Sequence, residues 1–212
     1  MSTAELFVFG ASGHAKVVID ILERLPDTRI VFAVDDATAK TGATLCGYAV
    51  IGRDAMTARR SETTGGIVTI GDNSIRCEIA AWLDAGGHRL ATAIHPRATV
   101  AGRVSIGAGS VVMAGAVINS DSVIGANVII NTGATVDHDC NIGDGSHIAP
   151  GCHLCGGVVI GTRSLLGAGT TVIPGVRIGN NVVIGAGSTV ITDVADNARL
   201  AGSPARPIGR VK

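Results

Sequence analysis

The stretch "IGDGSHIAPGCHLCGGVVIGTRSLLGAGTTVIPGVRIGNNVVIGAGST", residues 142–189, repeats every six residues. Cut from Ile142 it reads IGDGSH, IAPGCH, LCGGVV, IGTRSL, LGAGTT, VIPGVR, IGNNVV, IGAGST. The same frame runs back to Ile94 and forward to Ala195, seventeen blocks without a slip. Every block begins with Ile, Val or Leu, and its fifth place holds Ala, Ser, Thr, Cys or Val. A helix repeats near 3.6 residues and a simple strand near 2, so a strict six fits neither. It does fit a coiled β-solenoid, with the first-place aliphatic inside, a small fifth place, and Gly or Asn at the turns.

Composition changes where the repeat begins. All five aromatic residues (Phe7, Phe9, Phe32, Tyr48, Trp82) precede residue 94, as expected if the coil interior is too narrow for a ring. The expected division is one domain over residues 1–93 and another over 94–212. Seventeen basic and seventeen acidic residues cancel, so nothing calls for a nucleic acid or an anionic membrane as partner. The five cysteines are odd in number and unevenly spaced, which argues against a disulfide framework. The first residues, MSTAELFVFG, do not read as a signal peptide, and no apolar run approaches the ~18 residues of a membrane span. A soluble, reduced, cytoplasmic protein is expected.

The first half reads βαβ. LFVFG (6–10) is a short apolar strand, and ASGHAKVVIDILERL carries Val17, Val18, Ile21, Leu22 and Leu25 at helical spacing before Pro26. RIVFAVDD (29–36) is a second strand, and GYAVIG, GGIVTIGDN and the helical EIAAWLDAG follow. This alternation predicts a small, Rossmann-like parallel sheet. "GASGH" (10–14) joins the first strand to the first helix, where backbone N–H groups and a helix N-terminus can face a phosphate. Asp35 stands at the distance of a ribose-binding carboxylate. The pattern is Gly10-x-x-Gly13, not the full dinucleotide fingerprint, and a tight turn without a ligand also explains it. His14 follows in the first helical turn, beside any phosphate bound there.

"VDHDCNIGDGSH" (136–147) concentrates polar groups inside the repeat. His138 and Asp139 fall at the third and fourth places, so they sit at an outer turn. Imidazole titrates near neutrality and can take a proton from an amine or hydroxyl. A carboxylate beside it fixes its tautomer, and Asp137 or Asp139 can serve. A tetrahedral zinc site needs three or four convergent ligands. His138, His147 and His153 are spaced by nine and six, which puts them on different faces, so no metal is expected. "CHLC" (152–155) places Cys152 at a fifth place, where it acts as a small filler.

Together these motifs resemble the hexapeptide-repeat acyltransferases: GASGH, a strand ending Asp35-Asp36, IGDN (70–73), and IHP (94–96) opening the repeat. The similarity is to the bacterial sugar acetyltransferases, the N-acetyltransferases of nucleotide-linked 4-amino sugars and the related sialic acid O-acetyltransferases. It spans essentially the whole chain. It implies a left-handed parallel β-helix with three blocks per coil, a homotrimer, and acetyl-CoA as acyl donor. It further implies that the N-terminal domain holds a UDP-, GDP- or dTDP-linked sugar. By position, Gly10, Ser12, Gly13 and His14 would meet phosphate or sugar, and Asp35 and Asp36 would lie near the nucleoside. The family's His-acidic motif favours Asp139 as the orienting carboxylate. Gly156, eighteen residues past His138, would supply an amide to the developing oxyanion, and Asn131 and His147 would contact the acceptor sugar. Gly167, Ala168, Gly185 and Ala186 would allow close approach of acetyl-CoA, and Arg206 and Arg210 in the basic tail would meet its phosphates, although that tail also reads as a solenoid cap. The expected reaction is N-acetylation of a 4-amino sugar for bacterial glycan synthesis; O-acetylation of a sialic acid or other sugar is the alternative.

Overall fold

The computed structural model describes residues 3–211. The chain divides into two compact units that meet in sequence at Pro96/Arg97.

The first unit is a five-stranded sheet in the order β3-β4-β2-β1-β5. Its elements are β1 (Ala4–Phe9), α1 (Gly13–Glu23), β2 (Thr28–Val34), β3 (Thr44–Leu45), β4 (Tyr48–Ile51), α2 (Arg53–Ala58), β5 (Gly65–Val68) and α3 (Asn73–Ala85). β1, β2, β4 and β5 run parallel, as the alternation predicts. β3 is the exception: it pairs antiparallel with β4. Cys46 and Gly47 between them take positive φ of 51° and 87°, the geometry of a two-residue hairpin turn. A two-residue strand and a six-residue helix carry too little periodicity to be read from sequence, so β3 and α2 emerge only in the structure. Phe7, Phe9, Phe32, Val34, Met56, Val68 and Leu83 form a buried cluster between the sheet and α2 and α3, while Val18, Ile21 and Leu22 of α1 are buried as well.

The second unit is a parallel coil of eighteen residues per turn. Thr135 pairs with Val117 and His153, Asn141 with Val123 and Val159, and His147 with Ile129 and Leu165. Strands therefore fall in turn on three faces. The first stacks Thr99–Val100 up to Thr189–Val190, the second Ser105–Ile106 up to Arg177–Ile178, and the third Val111–Val112 up to Val183–Ile184. The third face continues with Ala198–Ala201, which turns back antiparallel into Arg206–Arg210. From Val112 to Val190 every first-place aliphatic is buried, and so is every fifth place from Ser110 to Ser188.

Hydrogen bonding gives the serines at the fifth place a role besides small size. Ser122 Oγ donates to the Asp137 carbonyl at 2.7 Å and accepts from the Cys140 N–H at 3.1 Å. Ser146 makes the same bridge to Gly161 and Ser164, and Ser164 to Gly179 and Val182. Each hydroxyl satisfies two buried backbone groups of the next coil that would otherwise cost free energy. Cys140 and Cys152 take the same place, with Sγ against the Cys155 and Gly167 carbonyls at 3.3 and 3.2 Å. Burial raises the pKa of both thiols, so they are inert fillers.

Candidate active site

The turn of residues 137–140 carries His138 from the first face to the second. Ser122 one coil below grips it on both sides, through the Asp137 carbonyl and the Cys140 amide. Asp139 takes φ 58°, a left-handed conformation that Asp tolerates better than most residues. This turns its carboxylate onto the imidazole: His138 Nδ1 and Asp139 Oδ2 are 2.7 Å apart. Asp137 does something else. Its Oδ1 accepts the His138 backbone N–H at 2.9 Å and the Asn119 Nδ2 at 2.8 Å. Of the two carboxylates left open by the sequence, Asp139 meets the ring and Asp137 holds the backbone. The bond to Asp139, then the charge of Asp137, raises the His138 pKa above its ordinary 6.5. The Asn119 bond lowers that of Asp137. Both His138 and Asp139 side chains are exposed, at 62% and 67%.

With Nδ1 held by a carboxylate acceptor, the proton sits on Nδ1 and Nε2 is left as the basic atom. Gly156 lies one coil further on, directly against that ring. A Cβ built on Gly156 would lie 2.6 Å from His138 Cε1 and 2.7 Å from Nε2. Two other third-place amides find acceptors one coil on: Ala126 N–H donates to Asp144 Oδ1 and Thr162 N–H to Asn180 Oδ1, both at 2.8 Å. One coil beyond Gly156 that place is Pro174, which has no side-chain acceptor. Among the described residues, the Gly156 N–H donates to no protein group.

Asn131 and His147 meet on the third face. Asn131 Oδ1 accepts the Thr132 N–H at 2.8 Å, which turns Nδ2 toward His147 Nε2 at 3.0 Å. Nε2 then accepts, so this imidazole carries its proton on Nδ1. The edge bearing His138 lies between the first and second faces, opposite the third. One chain therefore brings Asn131 and His147 together but holds the pair away from His138. His153, on the first face, bonds Thr135 Oγ1 at 3.0 Å. With Asn119, Asp137 and Cys155 it lines a shallow cleft of about 230 Å³. Among the described residues no three His, Cys, Asp or Glu side chains converge as a metal site would require.

The glycines expected to admit acetyl-CoA also have a packing role. A Cβ on Gly167 would strike the Ala186 N at 2.6 Å, and one on Gly185 the Ala201 Cβ at 2.9 Å. The chain itself fills the space a Cβ would take at both, so packing alone is reason enough for glycine there. Ala168 and Ala186 are exposed and stacked eighteen residues apart on one edge. Arg206 and Arg210 lie on the exposed final strand.

In the first unit, β1 stands between β2 and β5. Its C-terminal end is the point where the chain's crossovers change sides, the usual place for a ligand crevice. Gly10 turns there with φ +110°, and any Cβ would meet Ile70 Cγ1 at 2.9 Å and the Thr69 carbonyl at 3.0 Å. Thr69 Oγ1 donates to the Gly10 carbonyl at 2.8 Å, which pins the turn. Ser12 is the N-cap of α1 but makes no side-chain capping bond. Gly13, unlike Gly10, faces open space: no atom lies within 4 Å of where a Cβ would stand. The His14 Nε2 is buried without a hydrogen-bond partner. Desolvation, then the charge of Arg76, lowers the His14 pKa to about 4, so its imidazole is neutral. Arg76 is itself buried, donating to the Ile70 and Gly71 carbonyls at 3.0 and 3.1 Å and to Asn73 Oδ1 at 2.8 Å.

Asp35 is more committed than its spacing suggests. Oδ2 accepts from the Ala11 N–H and from Lys40 Nζ, both at 2.7 Å, and Oδ1 accepts the Ala37 N–H at 2.9 Å. Its carboxylate ties the glycine turn to the end of β2. Asp36 pairs with Arg53, whose Nε is 3.0 Å from Oδ1, and the Arg53 guanidinium lies 4.2 Å over the Trp82 ring. Sequence reasoning does not single out Lys40, Arg76 or Asn119. Their partners sit on other turns and loops, as far as eighteen residues away for Asn119, and a lone basic or amide residue carries no motif.

Comparison with known proteins covers both units. The profile of the PglD N-terminal domain matches residues 5–83. That of the bacterial transferase hexapeptide (six repeats) matches residues 121–156, 139–174 and 157–192. UDP-N-acetylbacillosamine N-acetyltransferase of Bacillus subtilis (strain 168) is 36% identical over 108 residues, and the alignment spans half of this chain and half of that protein. The acetyltransferase domain of PglB from Neisseria gonorrhoeae FA1090 is 39% identical, with a TM-score of 0.91 over 97% of this chain and all of the other. PerB from Caulobacter crescentus, solved with CoA and GDP-perosamine, is 40% identical, with a TM-score of 0.91 over 97% of each chain. This agreement across nearly the whole length makes the coil the left-handed β-helix that the six-residue repeat implied. The chain belongs to the hexapeptide-repeat acyltransferases, closely related to the N-acetyltransferases of nucleotide-linked amino sugars.

Proposed function

We propose that this protein transfers the acetyl group of acetyl-CoA to the 4-amino group of a nucleotide-linked deoxy sugar. The observation that carries the reading is the 2.7 Å His138–Asp139 pair set against Gly156, in a chain 40% identical to a protein solved with CoA and GDP-perosamine. Acetyl-CoA supplies the thioester carbonyl. His138 Nε2 accepts the proton of the attacking amine as the new C–N bond forms, and Asp139 steadies the imidazolium through Nδ1. The unpartnered Gly156 N–H donates to the oxyanion that develops as the thioester carbonyl is attacked. The C–S bond then breaks, His138 passes its proton to the departing sulfur, and CoA leaves as its thiol.

The N-terminal unit is assigned to the nucleotide sugar. The glycine turn, the open space over Gly13 and the unpartnered His14 Nε2 together suit a diphosphate. Ser12 stands beside them at the N-cap. With Asp35 occupied by Ala11, Ala37 and Lys40, its part is to hold the turn, and Asp36 is the more open carboxylate for the nucleoside. Acetyl-CoA is assigned to the β-helix, along the exposed Ala168 and Ala186, with Arg206 and Arg210 toward its phosphates.

A homotrimer is part of the proposal. One chain holds Asn131 and His147 on the face opposite His138, so a composite site needs the third face of a neighbouring copy beside the His138 edge. Light scattering of the purified protein tests this: three times the monomer mass is expected, and a monomer with full activity refutes it. Thiol release from acetyl-CoA, measured against a panel of UDP-, GDP- and dTDP-linked 4-amino sugars, tests the reaction. Turnover with at least one of them is expected, and none with any sinks the N-acetyltransferase reading.

A further inference from the structure

We infer that Gly156 positions the His138 ring as well as offering its amide: its missing side chain is the seat on which the imidazole lies. This rests on the acetyltransferase reading for its effect on rate, but not for its effect on the ring.

Two observations separate this seat from the ordinary glycines of the coil. Fourth-place glycines such as Gly157 and Gly175 take φ of 69° and 72°, so backbone conformation accounts for them. Gly156 is not among the positive-φ residues, so its φ does not call for glycine. Second-place glycines such as Gly143 and Gly161 are crowded by backbone of the next coil, at 2.7 and 2.5 Å from a Cβ. At Gly156 the three atoms nearest a Cβ all belong to the His138 ring, Cε1 at 2.6 Å, Nε2 at 2.7 Å and Cδ2 at 3.3 Å. The imidazole is what a side chain there would meet first.

The ring is held from both ends by this arrangement. Asp139 fixes Nδ1 at 2.7 Å, while the turn is tied to the same coil through the Gly157 N–H, which donates to the His138 carbonyl at 2.9 Å. The ring then rests against the Gly156 Cα, which brings Nε2 to the coil whose amide faces the acyl carbonyl. His138 is otherwise exposed to 62%, and a free imidazole on a surface turn samples several rotamers. A methyl at residue 156 would overlap the ring by about 1 Å relative to ordinary contact and would turn it away from Asp139 and from the amide. Gly156 acts here as a positioning residue through His138.

Gly156→Ala tests this because it keeps the backbone N–H. The expected result is a kcat lower by about 10–10²-fold, with the KM for the nucleotide sugar within about twofold. NMR titration of the His138 Cε1–H should show the ring pKa falling toward 6.5 as the Asp139 contact is lost. The decisive comparison is a double-mutant cycle with His138→Ala. Without the ring there is nothing for the added methyl to displace, so the double variant should match His138→Ala alone in kcat and melting temperature. If Gly156→Ala fails to fold, the double variant should fold again. An equal effect of Gly156→Ala in both backgrounds, or an unchanged His138 titration, overturns the inference. Should the wild type show no acetyl transfer at all, the reaction reading fails while the titration and the melting comparison still decide the seat.

Discussion

Ser122→Ala is the sharpest test of how the coil interior supports the site. Ser122 is fully buried, and its hydroxyl serves the Asp137 carbonyl at 2.7 Å and the Cys140 N–H at 3.1 Å. Alanine leaves both without a partner inside the coil. An unmet buried backbone group costs about 1–3 kcal/mol. The hydroxyl's own desolvation is relieved at the same time, which offsets part of this, so a net loss of about 2–4 kcal/mol is expected. For a chain of this size that is a fall of roughly 4–16 °C in melting temperature. Because the two groups flank His138 and Asp139, kcat should fall as well, with acetyl-CoA binding unaffected. Ser122→Cys is the control. Cys140 already fills the equivalent place, with Sγ 3.3 Å from the Cys155 carbonyl, so a thiol should keep most of the stability. Urea and thermal unfolding would be followed at one fixed protein concentration, since assembly shifts apparent stability. A Ser122→Ala protein with unchanged midpoint and kcat would refute the argument that the hydroxyl bridges hold this turn.

Three further outcomes are expected. His138→Ala should lower kcat by about 10²–10⁴-fold with little change in acetyl-CoA affinity by calorimetry, and near-wild-type turnover would remove the residue from the chemistry. Asp139→Asn should move the acid limb of the kcat/KM profile to lower pH: a base must be neutral, the carboxylate raises the His138 pKa above 6.5, and losing it lets the ring deprotonate earlier, although the plateau falls because the imidazolium is less stabilised. Gly13→Ala should leave stability unchanged or up to about 1 kcal/mol higher, since nothing in the chain occupies the space. It should raise the KM for the nucleotide sugar severalfold but not that for acetyl-CoA, and equal KM values would make Gly13 an ordinary turn residue.

Much of this protein is legible in one dimension. The six-residue frame is a local property: burial of each first place, from Val112 to Val190, follows from the residue itself and its place in the block. The same frame put His138 and Asp139 at an outer turn and sent His147 to another face. It also identified Cys152 as a filler. The glycine turn and its strand and helix were equally visible, because βαβ alternation is written in consecutive residues.

Other features depend on residues that only the coiled chain brings together. Which carboxylate meets the His138 ring turns on the left-handed φ of Asp139 and on Asn119, eighteen residues before Asp137, which it engages. Asp35 looked available for a ribose because spacing reports position, not whether Lys40 and the Ala11 amide have already claimed its oxygens. Gly156, Gly167 and Gly185 are the same letter in the sequence. The first makes room for an imidazole, and the other two make room for the next coil. The sequence by itself determined the period and the place of each polar residue within its block, because those follow from local burial and turn chemistry. The tertiary structure decided the partners and the reason for each glycine, because a partner one coil away is eighteen residues distant in sequence and a few ångströms distant in space.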